Sequence, residues 1–169
     1  VLRARGVNAD GDGAVDLADN AFRDFDIGVQ LLDATLHSPD VALNELDLQG
    51  TLDGPFRAFS MPHTLSVDEI HASGIVVSDV VQAGTLAFDG TRVTVPVDAS
   101  IRRIVSGNEL FDTRLVNGSL NGTIIYAGNE VLSDDLDVQF HGLRAQLRLN
   151  SNLDTGLTQV NGPANIADL

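Results

Sequence analysis

The feature that most limits what this chain can fold into is strict alternation of apolar and polar residues. Across Thr91–Arg102, Val93, Val95, Val97, Ala99 and Ile101 alternate with Arg92, Thr94, Pro96, Asp98, Ser100 and Arg102. Leu143, Ala145, Leu147 and Leu149 alternate with Arg144, Gln146, Arg148 and Asn150, and Leu136, Val138 and Phe140 with Asp135, Asp137, Gln139 and His141. Phe25, Ile27, Val29 and Leu31, and Leu46, Leu48 and Leu52, repeat the pattern. Successive strand side chains point to opposite faces, so each segment reads as a strand with one apolar and one wet face.

Punctuation between these segments fits hairpins. Asp10-Gly11, Asp12-Gly13, Ser38-Pro39-Asp40, Asp53-Gly54-Pro55, Asp89-Gly90, Asn117-Gly118, Asn121-Gly122, Gly128-Asn129 and Asn161-Gly162 all supply turn chemistry. About nine to eleven mostly antiparallel strands are expected from this spacing. Composition agrees: Asp, Asn and Gly are abundant, and Lys, a good helix former, is absent. Helix is expected only in short pieces: Asp79–Ala83 within Ser78–Gly84, a capping pair Ser66 and Glu69 with Gly74 as a stop, and Asn108–Val116. No Pro- or Ser-rich linker divides the chain, so residues 1–169 read as one β-rich domain. The start at Val1 suggests a piece of a longer protein.

A sheet with one apolar face must cover it. A second sheet, closure into a barrel or coil, or a partner that is not protein would each serve. The aromatic share is 5%, with no Trp, which disfavours sugar stacking and suits aliphatic contact with hydrocarbon. Ten basic residues against 24 acidic ones give a net charge of −14, which repels nucleic acid and anionic membrane surfaces. No Cys is present, so disulfide and thiol chemistry are excluded.

Motifs for chemistry are sparse. Asn8, Asp10, Asp12, Asp16 and Asp19 fall on the ligand positions of a calcium loop around Gly13. Asn leads where Asp is usual, Asp stands where a bidentate Glu closes the loop, and the flanks read as strands. An acidic turn is therefore the expectation, without a metal. His37, His63, His71 and His141 show no zinc spacing. No nucleophile elbow or phosphate loop occurs, and Asp134-Asp135-Asp137 reads as a solvated turn. Arg102-Arg103 reads as balancing local acids. No catalytic residue and no cofactor are expected.

Leu110–Gly156 (LFDTRLVNGSLNGTIIYAGNEVLSDDLDVQFHGLRAQLRLNSNLDTG), with LDLQGTLDG at Leu46–Gly54 and HASGIVVSDVVQAGTLAFDG at His71–Gly90, resembles the AsmA-like, or bridge-like, lipid transport family of Gram-negative bacteria. The resemblance is closest to the YdbH type, with TamB as a relative. It implies an elongated, mostly antiparallel sheet folded into an open trough, in a periplasmic protein anchored in the inner membrane. It also implies a non-enzymatic role in carrying phospholipid between the two membranes. The inward stripe implied for acyl chains is Val93, Val95, Val97, Val138, Phe140, Leu143, Leu147 and Leu149. Self-association through sheet edges or the groove is a further expectation. A β-sandwich or β-solenoid serving as a structural or adhesive module is the alternative.

Overall fold

The computed structural model describes residues 2–37 and 40–166. The strands are β1 (Leu2–Arg5), β2 (Asn8–Asp16), β3 (Ala21–His37), β4 (Asp40–Pro55), β5 (Ser60–Ala72), β6 (Ile75–Phe88), β7 (Arg92–Val105), β8 (Val116–Ala127), β9 (Glu130–Phe140), β10 (Leu143–Asn152), β11 (Leu157–Asn161) and β12 (Ala164–Ile166). One short helix, α1 (Glu109–Asp112), interrupts them. All twelve strands belong to a single open antiparallel sheet that is trough-like and does not close into a barrel. From β3 to β11 each strand pairs with its neighbours in sequence; β1 and β2 share the outer side of β3, and β11 and β12 share β10. Pairing of this kind is neither a solenoid nor a two-layer sandwich, so the trough expectation holds and the alternatives fall.

Two helix expectations fail. Ser78–Gly84 lies inside β6, and Ser66–Glu69 lies inside β5, with Ser73 and Gly74 forming the hairpin that follows. Pairing on both sides overrides a local capping signal worth only about 1 kcal/mol. The third expectation is met within Asn108–Val116: Asn108 caps α1 by accepting from the Leu110 N–H at 3.0 Å.

Several expected turns are instead mid-strand. Asp10-Gly11 and Asp12-Gly13 lie within β2, and Asn117-Gly118 and Asn121-Gly122 within β8. Positive φ is what they supply, and bulges use it too. In β3 an extra residue sits near Asp24 (φ 45°), facing Gly13 of β2. In β9 an extra residue sits between Leu132 and Asp137, facing Gly122 of β8 (φ 147°). A Cβ at Gly122 would come within 2.8 Å of the Asp135 carbonyl oxygen. The Ser38-Pro39-Asp40 turn falls on residues 38 and 39, outside the described residues.

A second kind of break runs straight across the sheet. Cα pairing skips Gly6/Leu32, Leu32/Glu45, Glu45/Asp68, Asp68/Asp79, Asp79/Arg102 and Arg102/Asn117, while the residues on both sides stay in register. Every second member of the row has a left-handed backbone: Gly6, Glu45, Asp79 and Asn117, with φ of 61°, 48°, 49° and 48°. At this row alternation changes phase. The strands read apolar-polar-polar-apolar, as in Leu46-Glu45-Asn44-Leu43, Val67-Asp68-Glu69-Ile70, Val80-Asp79-Ser78-Val77 and Ile101-Arg102-Arg103-Ile104. A cleft lined together by Asn44, Glu45, Asp68, Glu69, Ser78, Asp79 and Arg102 puts both polar members on the same side. The apolar face therefore continues past the row without changing sides. The row divides the sheet into a broad panel and a narrow flap.

Candidate functional site

The register assembles the apolar face strand by strand. Ala99, Leu120, Val138 and Ala145 form one row across β7, β8, β9 and β10. Val93, Val95 and Val97 lie opposite Tyr126, Ile124 and Gly122. Phe140 pairs with Leu143, Leu147 with Leu136, and Leu149 with Ser133. All eight residues of the expected stripe thus share one face. Val29, Leu48 and Leu65, and Leu31, Leu46, Val67 and Val80, carry it through β3 to β6.

Burial on this face is partial. Val67 is 3% exposed and Leu136 and Phe140 8%, yet among the described residues no large side chain is buried below 2%. Val93, Val95, Val97, Val138, Leu143, Leu147 and Leu149 are all half-buried. A closed core between two layers would bury residues of this size completely. Strand neighbours cover their flanks, and no described element lies over them. Phe140 folds down onto Gly118, where a Cβ would fall on its ring.

One end of the face is aromatic. Phe22 packs against Phe56 and Phe59 with ring centroids 4.9 and 5.7 Å apart, and Phe59 against Phe88 at 5.4 Å. Sequence reasoning missed this cluster because Phe56 and Phe59 lie in and just beyond a turn, outside any alternating run.

It also missed a buried polar group seated in the apolar panel. Gln82 is 7% exposed. It lies opposite Leu65 and Ala99, between strands that part around Pro96, where ladder pairing lapses. Pro96 has no N–H to give. The Gln82 amide bridges the gap: Nε2 donates to the Pro96 carbonyl at 3.0 Å, and Oε1 accepts from the Asp98 N–H at 2.8 Å. Its remaining proton goes to His63 Nε2 at 3.3 Å, so the His63 Nδ1–H faces the Met61 carbonyl at 3.2 Å. No buried side-chain polar atom in this patch lacks a partner, which keeps it from costing the face its integrity.

The other candidates disperse. Asn8, Asp10 and Asp12 lie along β2 opposite Gln30, Gly28 and Asp26. The calcium-loop geometry is therefore absent, because an extended strand cannot wrap a cation. Asp16 instead accepts from the Ala18 and Asp19 N–H groups, both at 3.0 Å, and Asp16 and Asp19 each face Arg23. Hydrogen bonding from the Asp19 backbone, with the Ala18 N–H and Arg23 adding to it, holds the Asp16 carboxyl below the usual carboxylate range. Among the described residues no cluster of His, Asp and Glu is arranged to hold a metal. Asp135, from the acid trio, fills the β9 bulge by accepting from the Thr123 N–H at 2.8 Å and the Ser133 hydroxyl at 3.3 Å. The trio therefore sits in a bulged strand and not in a turn. Arg102 pairs with Asp79.

On the polar face a concavity of about 800 Å³ opens between Asp26, Asp47, Gln30 and Gln49. Two of its carboxylates are occupied: Thr51 donates to Asp26 at 2.6 Å, and Gln30 to Asp47 at 3.0 Å.

No protein-family model, curated protein or solved structure matches this chain. Among the described residues no helix is long and apolar enough to cross a membrane.

Proposed function

We propose that this chain is a non-enzymatic segment of an AsmA-like, bridge-like lipid transport protein of the periplasm, in which the apolar face shields phospholipid acyl chains. One observation carries the reading: a wide aliphatic face, continuous from β3 to β10, stays half-exposed with no described element above it. Acyl chains need exclusion of water and dispersion contact, not directional bonds, and a smooth Val, Leu and Ile surface supplies both. Headgroups would stay in water at the margins. The path is passive, so no residue needs to donate or accept a proton.

Native mass spectrometry of the purified chain tests it, with phospholipid expected to travel with the protein. Leu147→Arg puts a charge on the face, which hydrocarbon penalises by several kcal/mol. The bound lipid should be lost while the sheet survives, because a long Arg side chain reaches water from an open face. Arg144→Ala, on the wet face, should change neither. Complete unfolding by Leu147→Arg would instead mark the face as a closed core, and absence of lipid from the unmodified chain would remove the reading.

A further inference from the structure

We propose that the transverse row through Glu45, Asp79 and Asn117 is a hinge about which the flap swings, opening and closing the apolar face to its occupant; the gating role rests on the lipid reading above. Ladder pairing holds the backbone of each strand extended at the level where it is made, and so resists a bend there in a way that a side-chain link does not. Here the pairing is missing from five consecutive strand pairs at the same row, which ends at the junction between β1 and β2. Elsewhere the lapses alternate with intact pairs: at the level of Pro96, β4 with β5, β6 with β7, β8 with β9 and β9 with β10 lose pairing, while β3 with β4, β5 with β6 and β7 with β8 keep it.

Three non-glycine residues hold left-handed backbones along the row. That conformation is costly for residues with a Cβ, and strain of this kind gathers where a structure has two states. The cross-link at the row does not oppose motion. Asp79 and Arg102 tie β6 to β7 along the axis, as Arg5 and Asp33 tie β1 to β3 at 2.7 Å. Such staples hold neighbours side by side and leave rotation about the axis free. Clefts of about 330 and 280 Å³ follow the row on the polar face and give it room. The flap also has an apolar row of its own to bring over the trough. Ala34, Leu43, Ile70, Val77 and Ile104 are paired across β3 to β7.

Because the described chain has no cysteine, spin labels can be placed freely. Thr64→Cys with Ser73→Cys spans the row, and Arg92→Cys with Ser100→Cys lies wholly in the panel; all four sites are exposed. Each pair is roughly 26–30 Å apart along an extended strand. Pulsed electron resonance should give a broad distance distribution across the row and a narrow one in the panel. Adding lysophosphatidylcholine should narrow the first and shift it by several ångströms, leaving the second alone. Amide exchange supplies a label-free check, with the row exchanging at least about tenfold faster than Leu48 and Leu65. Equal widths, or equal protection, overturn the hinge. Lysolipid that binds by native mass spectrometry without moving the row-spanning distance overturns the gate alone. Lysolipid that does not bind at all overturns the lipid reading and the gate with it.

Discussion

The β9 bulge and the transverse row both break period-two alternation, and they do so in opposite ways. The bulge adds a residue to one strand. Register slips against β8 and β10 together, a facing glycine makes the room, and Asp135 supplies hydrogen bonds that the ladder has lost. At the row nothing is added. Six strand positions change phase at one level, with Gly6 between β1 and β2 at its end, so register survives and no other glycine is needed. A lone bulge is locked by sterics and side-chain bonds. A shared row is held by coincidence of conformation across neighbours, which makes it the softer of the two.

Gly122→Val should give the largest effect. A side chain there meets the Asp135 carbonyl and a φ that branched residues avoid, so roughly 3 kcal/mol or more should be lost. A fall of about 10 °C in the circular-dichroism melt would register it. A silent Gly122→Val would mean that the bulge is as soft as the row. Asp135→Ala should come next, at about 1–2 kcal/mol, because the Thr123 N–H loses its acceptor. The row should respond with the opposite sign. Glu45→Gly and Asn117→Gly remove a Cβ from a left-handed backbone and should each raise stability by up to about 1 kcal/mol. Their strands are not adjacent, so the gains should add. Loss of stability in either variant would mean that the side chain, and not the backbone, holds the row.

The smallest effect is with acid. The Thr91 N–H, then its hydroxyl and the Arg92 N–H, hold the Asp89 carboxyl below the usual range at the β6–β7 hairpin. The Ser106 N–H and hydroxyl do the same for Asp112 beside α1. Carboxyls depressed in the fold stabilise it above their ordinary value, near 3.8, and cease to as pH falls through the folded value. Asp89→Ala should therefore shrink the drop in melting temperature between pH 7 and pH 3. An unchanged drop would show that the hairpin carboxylate contributes nothing there.

Much of the sheet was legible because the panel strands of β7 and β10 follow a simple period and their faces needed no further information. The breaks were harder. Asn117-Gly118 and Asn121-Gly122 announced positive φ correctly, but a pair of residues cannot say whether that φ closes a hairpin or kinks a strand. The distinction lies in partners 12 or more positions away, such as Asp135. The phase change at Glu45, Asp68, Asp79 and Arg102 was written in the sequence as paired polar residues inside each strand. It becomes visible only when the strands are aligned by their register. Ser78–Gly84 misled because Gln82 and Gly84 serve the gap at Pro96, and a buried amide bridging a broken ladder resembles the end of a helical turn.

Pairing that is almost wholly between successive strands makes this molecule extensible. Removing or adding one hairpin in the middle would leave every other pairing intact and keep each remaining residue on its face. The length would change by about 10 Å per hairpin, two strand spacings. Span can therefore be adjusted in fixed increments, by duplication or deletion of two-strand units, without redesigning the surface that those units share.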